Sequence, residues 1–257
     1  MTGGRGLTAL SLPDLEALLA AIDGGKVAAP ITPAALSNLL GRRNLDDVAR
    51  LLGGLPGEAA HAVLVAAIAE RKHRSPPHID LVWTGPESSD ASARDTAIVV
   101  RQLFEQARTS VLVGGFSFDS GDDIFKPLHG VMTAHGVKAT FFLDIQGHAD
   151  SAAGATAYAT HQIDRFFTDN WPFGPPRPDV YYDPRTAAPG PPWASLHAKC
   201  VVIDARRTLV TSANFTDRGQ TRNIEAGLLV DDPDTAQRLL AHWQGLIRTN
   251  LVHRYTG

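Results

Sequence analysis

The sequence predicts an α/β protein in which a mixed sheet flanked by helices follows a small all-α N-terminal module. Three observations predict this fold. Residues 1–74 carry helix signals and no strand signal, whereas short apolar strands alternate with amphipathic helices over residues 75–257. The break at Ser75-Pro76-Pro77 separates the two patterns. We therefore predict a helical domain over 1–74 and an α/β domain over 75–257.

Four short helices are predicted in the N-terminal module. Their expected bounds are 12–24, 33–40, 45–52 and 58–72. Ser11, Thr32 and Asn44 stand where helix caps are preferred, and prolines follow Ser11 and Thr32 near the first helical position. The fourth helix ends in basic residues, which favour a helix C-terminus.

The second domain alternates strands with helices. The expected strands are 79–83, 110–118, 138–145, 180–182, 198–203, 208–211 and 224–230. The expected helices are 96–107, 124–135, 152–167 and 235–248, with Asp122 and Asp123 as caps of the second of these. Eight prolines between Pro172 and Pro192 predict a stiff irregular loop. The end of the strand at Gly114-Gly115-Phe116-Ser117 is expected to approach the site described below.

Composition narrows the functional class. The chain has 257 residues, a formal net charge of −3 and a single cysteine, Cys200, so it can form no internal disulfide. A reducing compartment is therefore expected, and no apolar run is long enough to span a bilayer. Asp14 and Glu16 interrupt the N-terminal stretch where a signal peptide would be apolar. We expect a cytoplasmic protein that makes no membrane contact.

Residues 195–230 carry the chemically informative side chains. The set comprises His197, Lys199, Asp204, Ser212, Asn214 and Glu225. His197 and Lys199 are two apart on a predicted strand and should project from one face, with Ala198 and Cys200 directed into the core. The following strands should bring the remaining members alongside. A lysine with amide and hydroxyl donors suits a tetrahedral phosphate, and a carboxylate beside an imidazole makes it a usable nucleophile.

The spacing H-x-K-x4-D followed by S-x-N resembles the HKD signature of the phospholipase D superfamily. The downstream pair Asn223-x-Glu225 is similar to the small single-motif nucleases of that family. The resemblance covers residues from about 78 to the end and implies a phospholipase D-like sheet. One departure is Thr211, which stands where the family usually has glycine.

The resemblance also implies a role for each residue. It implies His197 as nucleophile, Lys199 and Asn214 as phosphate ligands, Ser212 as their support and Glu225 as the group that orients His197. Asp204 belongs to the signature with a role that is more structural than catalytic. Family members act without a metal, so we expect no cofactor.

A second H-x-K motif does not occur in the chain, because the other four lysines lack a histidine two residues earlier. The family chemistry needs two such histidines. We therefore predict a homodimer whose two-fold axis passes between the two copies of His197. One neutral imidazole would attack while its protonated counterpart donates to the leaving oxygen, which predicts a bell-shaped pH profile.

The favoured substrate is nucleic acid, with DNA ahead of RNA. Arg206, Arg207, Arg218 and Arg222 are candidate polyanion contacts, and solvated turn residues are the alternative for each. The whole chain resembles the phospholipase D-like component of the DISARM anti-phage systems, which implies a nuclease in defence against phage DNA and partnership with other DISARM proteins.

Other interpretations stay open. They are a lipid phosphodiesterase or phosphatidyl transferase, an inactive relic of the motif, and a catalytically silent nucleic-acid-binding or scaffold subunit. His129, His135 and His148 are interpreted as isolated surface or cap histidines rather than metal ligands.

Overall fold

The N-terminal unit, Met1–Pro76, is built from the four predicted helices. The structure is a computed structural model that describes residues 6–73, 77–86 and 92–257. The helices are α1 (Leu12–Asp23), α2 (Pro33–Leu40), α3 (Asp46–Gly53) and α4 (Gly57–His73), preceded by a 3-10 turn over Gly6–Ala9. Ser11 caps α1 as predicted: its Oγ accepts from the Asp14 N–H, and its own N–H donates to the Asp14 carboxylate at 2.8 Å. Leucines of these helices form a core of their own.

One predicted cap of this unit is wrong. Asn44 does not cap α3; Leu45 occupies the N-cap position and makes no side-chain cap hydrogen bond. Asn44 instead has a left-handed backbone with a φ of 61°, a conformation that asparagine tolerates well. Leu45 is buried in the core of the unit, so its packing fixes where the chain turns into α3.

The second unit, Pro77–Gly257, contains a nine-stranded mixed sheet with the order β2-β1-β8-β7-β6-β3-β4-β5-β9. The strands are β1 (His78–Thr84), β2 (Arg94–Asp95), β3 (Ser110–Gly115), β4 (Lys138–Leu143), β5 (Asp179–Tyr182), β6 (Cys200–Ile203), β7 (Arg207–Thr211), β8 (Glu225–Asp231) and β9 (His253–Arg254). The helices are α5 (Thr96–Gln106), α6 (Gly121–Ile124), α7 (Lys126–His135), α8 (Ala155–Asn170), α9 (Pro184–Ala187), α10 (Asp217–Thr221) and α11 (Pro233–Arg248). The predicted boundary between residues 74 and 75 lies outside the described residues.

The predicted mixed sheet flanked by helices is confirmed. Strands β3, β4 and β5 are parallel, while β6, β7 and β8 join them in antiparallel order. One face packs against α5, α7 and α8 around residues such as Phe104, Phe141 and Phe166. The other face packs against α11 through Leu112, Phe142 and Trp243. The carboxyl ends of β3, β4 and β5 therefore lie at the same end of the sheet as the start of β6.

On the α11 side, half of the sheet carries exposed apolar side chains. This open face consists of Ile79, Leu81, Val210 and Leu228, which are 45–53% exposed. Leu228 is paired with Leu81 on one side and with Val210 on the other, so the four residues are contiguous. Val210 is paired with Cys200, which packs under α11, so the open face continues the covered one.

Several predicted bounds are corrected. The strand from Ser110 ends at Gly115 rather than residue 118. Asp122 and Asp123 lie within the first turn of α6, and neither α6 nor α7 has a side-chain cap. The proline-rich loop contains the predicted strand β5 and an unpredicted short helix, α9. The two-residue strands β2 and β9 were not predicted, because two residues carry no periodicity.

Among the helices of the described ranges, none combines the length and the apolar character needed to cross a membrane.

Candidate active site

The polar side chains singled out in the sequence meet mainly at one end of the sheet, which we call the site end. It comprises the carboxyl ends of β3 and β4, the start of β6, the end of β7 and the start of β8. In open α/β sheets this edge is where loops converge on a ligand. The site end therefore has the position expected of a binding or catalytic cleft.

His197 and Lys199 lie side by side just before the start of β6. The Lys199 Nζ is 3.2 Å from Nδ1 and 3.3 Å from Nε2 of His197, and it donates to the His197 carbonyl oxygen at 2.9 Å. The strand begins at Cys200, so both residues precede it, and Ala198 is exposed instead of packing in the core. Cys200 is buried as predicted, and burial raises the pKa of its thiol to about 11.

Lys199 is 6% exposed, although it belongs to a residue type that is rarely buried. Burial lowers the pKa of its ammonium group, against the opposing effect of the Glu225 and Asp144 carboxylates. The Phe116 ring lies 5.0 Å from Nζ and 4.4 Å from the His197 ring, measured to ring centroids. A cation held between an imidazole and an aromatic ring is well placed to attract an anion to the imidazole.

Two glycines lie at the end of β3, directly before Phe116, and this end of the strand approaches the site as predicted. A Cβ on Gly114 would lie 2.9 Å from the Trp243 ring of α11, and one on Gly115 would lie 2.2 Å from the Phe118 ring. Both contacts are closer than a side chain tolerates. The glycine pair therefore permits close packing just before the chain turns at Phe116.

Ser212 and Glu225 are joined directly at the ends of β7 and β8. The Ser212 hydroxyl donates to the Glu225 carboxylate at 2.5 Å and accepts from the Ala226 N–H at 3.1 Å. Asn223 donates to the other carboxylate oxygen at 3.0 Å. The predicted contact in which Glu225 orients His197 stays a prediction, because these two donors are the partners that the structure gives the carboxylate.

Asn214 lies on the loop after β7, beside the loop that follows β3. The Phe215 N–H donates to the Ser117 carbonyl oxygen at 3.2 Å, and the rings of Phe118 and Phe215 are stacked. The Asn214 Oδ1 is buried and has no hydrogen-bond partner in the described part of the chain. An amide oxygen only accepts hydrogen bonds, so a phosphate oxygen would have to be contacted by the amide nitrogen, Nδ2, of Asn214.

Asp144 was missed by sequence reasoning and belongs to the site end. It follows β4 directly, accepts from the Leu196 N–H at 2.6 Å and receives a second hydrogen bond from Gln146. Burial raises its pKa, while the hydrogen bond from the Leu196 N–H and the neighbouring His197 and Lys199 side chains oppose that shift. The available signal was its position: a carboxylate directly after a buried parallel strand lies where ligands bind.

The structure does not bring Asp204 to the site end. It lies at the other end of β6, five residues from Lys199, which corresponds to roughly 17 Å of extended chain. Its carboxylate accepts from the N–H groups of Arg108, Thr109 and Ser110 at 2.8–3.2 Å. Burial would raise its pKa, but these donors outweigh burial and lower it.

The four candidate arginines divide between the two ends. Arg206 lies on the turn beside Asp204 and is paired with Asp231 at 3.0 Å, and Arg207 begins β7 and donates to Gln106. Arg218 and Arg222 lie on or next to α10, between the end of β7 and the start of β8. Arg222 is paired with Asp217, and both arginines are exposed.

The segment that carries these side chains matches a known protein family. The family model described as "Cardiolipin synthase, PLD-like domain" matches residues 100–247. The chain belongs to the PLD-like family. This membership supports a phosphodiesterase type of enzyme. The matched segment runs from within α5 into α11 and includes the strands that build the site end.

Two curated relatives are similar over parts of this PLD-like chain. The DISARM protein DrmC of Bacillus paralicheniformis is 29% identical over 153 residues, which are 59% of this chain and 56% of that protein. A phospholipase D of Rickettsia typhi is 33% identical over 57 residues, which are 22% of this chain and 28% of that protein. The matches thus span just over half of the first relative and under a third of the second.

Two solved structures are also similar. Nuc of Salmonella typhimurium, a phospholipase D family member, is 23% identical with a TM-score of 0.45, covering 71% of this chain and 100% of that one. NucT of Helicobacter pylori is 18% identical with a TM-score of 0.48, covering 67% of this chain and 97% of that one.

Proposed function

We propose that the protein is a metal-independent phosphodiesterase that cleaves nucleic acid, DNA foremost, through a covalent phosphohistidine. The observation that carries the proposal is the contact between His197 and the buried Lys199 at the site end. Burying a charged lysine is unfavourable. The burial of Lys199 beside the His197 imidazole is explained if both groups contact the same anionic centre of the substrate.

His197 is the nucleophile in this reaction. An unprotonated ring nitrogen forms a bond to phosphorus while the bond from phosphorus to the leaving oxygen breaks. Lys199 and the Asn214 side chain hold the phosphate oxygens on which charge develops in the transition state. Ser212 supports this arrangement from its hydrogen bond to Glu225, and water then cleaves the nitrogen–phosphorus bond to regenerate the imidazole.

The proton for the leaving oxygen comes from a second copy of the chain in a two-fold homodimer. The partner's His197 gives its proton to the leaving oxygen and takes one from the attacking water in the second step. The open face of Ile79, Leu81, Val210 and Leu228 supports this dimer, since a contiguous exposed apolar surface is typical of protein contacts. Ser212 lies two residues beyond Val210 and is itself exposed, so the open face reaches the site end.

The biological setting that we propose is anti-phage defence as part of a DISARM system, together with other proteins of that system. The similarity to DrmC supports this setting. Arg218 and Arg222 are the proposed contacts to the nucleic acid backbone, because they are exposed beside the site end. A lipid phosphodiesterase or phosphatidyl transferase activity is the second candidate, and the name of the Rickettsia relative supports it.

The test is cleavage in EDTA with labelled DNA, RNA and phosphatidylcholine, comparing the wild type with His197→Ala. The proposal expects the wild type to cleave DNA, and the variant to lose that activity while it keeps its fold, measured by circular dichroism. Hydrolysis of phosphatidylcholine alone would favour the second candidate. DNA binding without cleavage, unchanged in His197→Ala, would favour a silent binding subunit.

A further inference from the structure

An exposed tryptophan lies four residues before His197. Trp193 is 60% exposed, and within residues 6–73, 77–86 and 92–257 it is the one Phe, Tyr or Trp that is exposed. Its ring stacks on His148, with ring centroids 4.1 Å apart and an angle of 25° between the planes. One face of the indole is thus covered by the imidazole, so its exposure comes from the opposite face and the ring edges.

Hydrogen bonds hold the two loops that carry this pair. The His148 loop starts at Asp144, whose carboxylate accepts from the Leu196 N–H of the Trp193 loop at 2.6 Å. Ala149 is buried, and its N–H donates to the Ala187 carbonyl oxygen at 3.1 Å. The two loops therefore contact each other twice, through the hydrogen bond from Leu196 to Asp144 beside the site and through the stack of Trp193 on His148. A ring held in this way loses little conformational freedom when a ligand stacks on it.

The stack lies close to the proposed chemistry. Four residues of chain span at most about 14 Å, so Trp193 is within reach of about four nucleotides of a stacked strand whose phosphate is at His197. The Phe116 ring, next to His197 itself, adds a second aromatic surface at the site end. Aromatic faces beside a phosphate-binding lysine are the combination that proteins use to hold single-stranded nucleic acid.

We propose that Trp193, backed by His148, is a stacking platform for an unpaired base of the substrate, and that it makes single-stranded nucleic acid the preferred substrate. The inference rests on the proposed nuclease function. A base inside a duplex is already stacked and must be extruded at a cost before it can reach the platform. A protein contact is less favoured here, because the apolar side chains of the open face are on β1, β7 and β8, whereas the platform is on the loops at the site.

Binding measurements in the His197→Ala background test the platform without cleavage. The probes are a labelled short oligo(dT) and an abasic strand of the same length, followed by fluorescence anisotropy. Trp193→Ala is expected to weaken binding of oligo(dT) about 5- to 100-fold and to leave binding of the abasic strand unchanged. Trp193→Phe keeps a ring and should lie within about 3-fold of the parent. Trp193→Leu, a matched apolar control without a ring, should behave as Trp193→Ala.

Two results would contradict the proposal that Trp193 stacks on a base. One is an equal loss of affinity for oligo(dT) and the abasic strand, or no loss for either, in Trp193→Ala. The other is a change of oligomeric state in Trp193→Ala by size-exclusion chromatography, which would assign the ring to a protein contact. The nuclease proposal is tested separately by cleavage with the wild-type protein. If Trp193→Ala in the His197→Ala background binds oligo(dT) normally while the wild type cleaves DNA, the stacking proposal is wrong and the nuclease proposal is unaffected.

Discussion

The two ends of strand β6 differ in what their polar groups do. At the site end, Lys199 is buried next to His197, and Asn214 holds a buried oxygen without a partner among the described residues. At the far end, the Asp204 carboxylate is occupied by three main-chain N–H groups and the Thr109 hydroxyl. The contacts at the site end join two side chains that carry chemistry, whereas those at the far end join the β6–β7 turn to the chain that enters β3.

Residues of one continuous sequence motif therefore lie in two different environments. A lysine whose pKa is lowered by burial costs stability while it is charged, whereas a carboxylate whose pKa is lowered by donors adds stability while it is charged. Burial of Lys199 at the site end therefore lowers stability, a cost that the proposed binding of a phosphate would offset, and the far end contributes to stability. Substitutions at the two ends should separate activity from folding.

The largest effect is expected at Lys199. Replacing it with methionine keeps the length of the side chain and removes the charge, so a developing anion loses its closest cation. We expect Lys199→Met to lower kcat/KM about 100- to 1,000-fold. The melting temperature should stay the same or rise, because the cost of burying a charge disappears. Lys138→Met, at an exposed lysine that starts β4, is the matched control and should leave both quantities unchanged.

A smaller effect, on stability instead of activity, is expected at Asp204. Asp204→Ala leaves the main-chain donors of residues 108–110 without their acceptor and should lower the free energy of unfolding by about 2 kcal/mol. Activity below the unfolding transition should stay near that of the wild type. Urea denaturation combined with the cleavage assay measures both. A tenfold loss of activity with unchanged stability would place Asp204 in the chemistry after all.

The same carboxylate predicts a pH dependence of stability. Because the pKa of Asp204 is lowered in the folded state, its contribution is complete above the ordinary aspartate pKa of about 3.9 and is lost as pH falls through the folded pKa. Asp204→Asn cannot titrate and should lack this part of the acid-induced loss. Denaturation curves of the wild type and Asp204→Asn, collected from neutral to acidic pH, measure this difference in the free energy of unfolding.

The smallest effect is expected from the arginines at the far end. Arg206→Ala removes an exposed ion pair with Asp231 and should change KM for DNA by less than about 2-fold and stability by less than about 0.5 kcal/mol. Arg218→Ala, beside the site, should raise KM more than Arg206→Ala does. If Arg206→Ala and Arg218→Ala change KM for DNA equally, the arginines at the two ends do not differ in substrate binding.

The sequence was sufficient for the fold class, and the roles assigned to the site residues stay predictions. Alternation of apolar segments predicted the mixed sheet, and the spacing from His197 to Glu225 predicted which strands would bring polar groups together. Local pattern could not predict where His197 stands relative to the strand, because the strand begins only at Cys200. It also could not place Asp144 or separate Arg206 from Arg218, since both depend on which strand ends meet in space.

The most direct test of the account is to trap the covalent intermediate. Wild-type protein is mixed with phosphate-labelled DNA in EDTA, quenched with base and digested for peptide mapping. We expect an acid-labile label on the peptide that contains His197, present in Asp204→Asn and absent in His197→Ala. DNA cleavage by the wild type with no label on His197, or cleavage that stops when divalent ions are removed, would contradict the account.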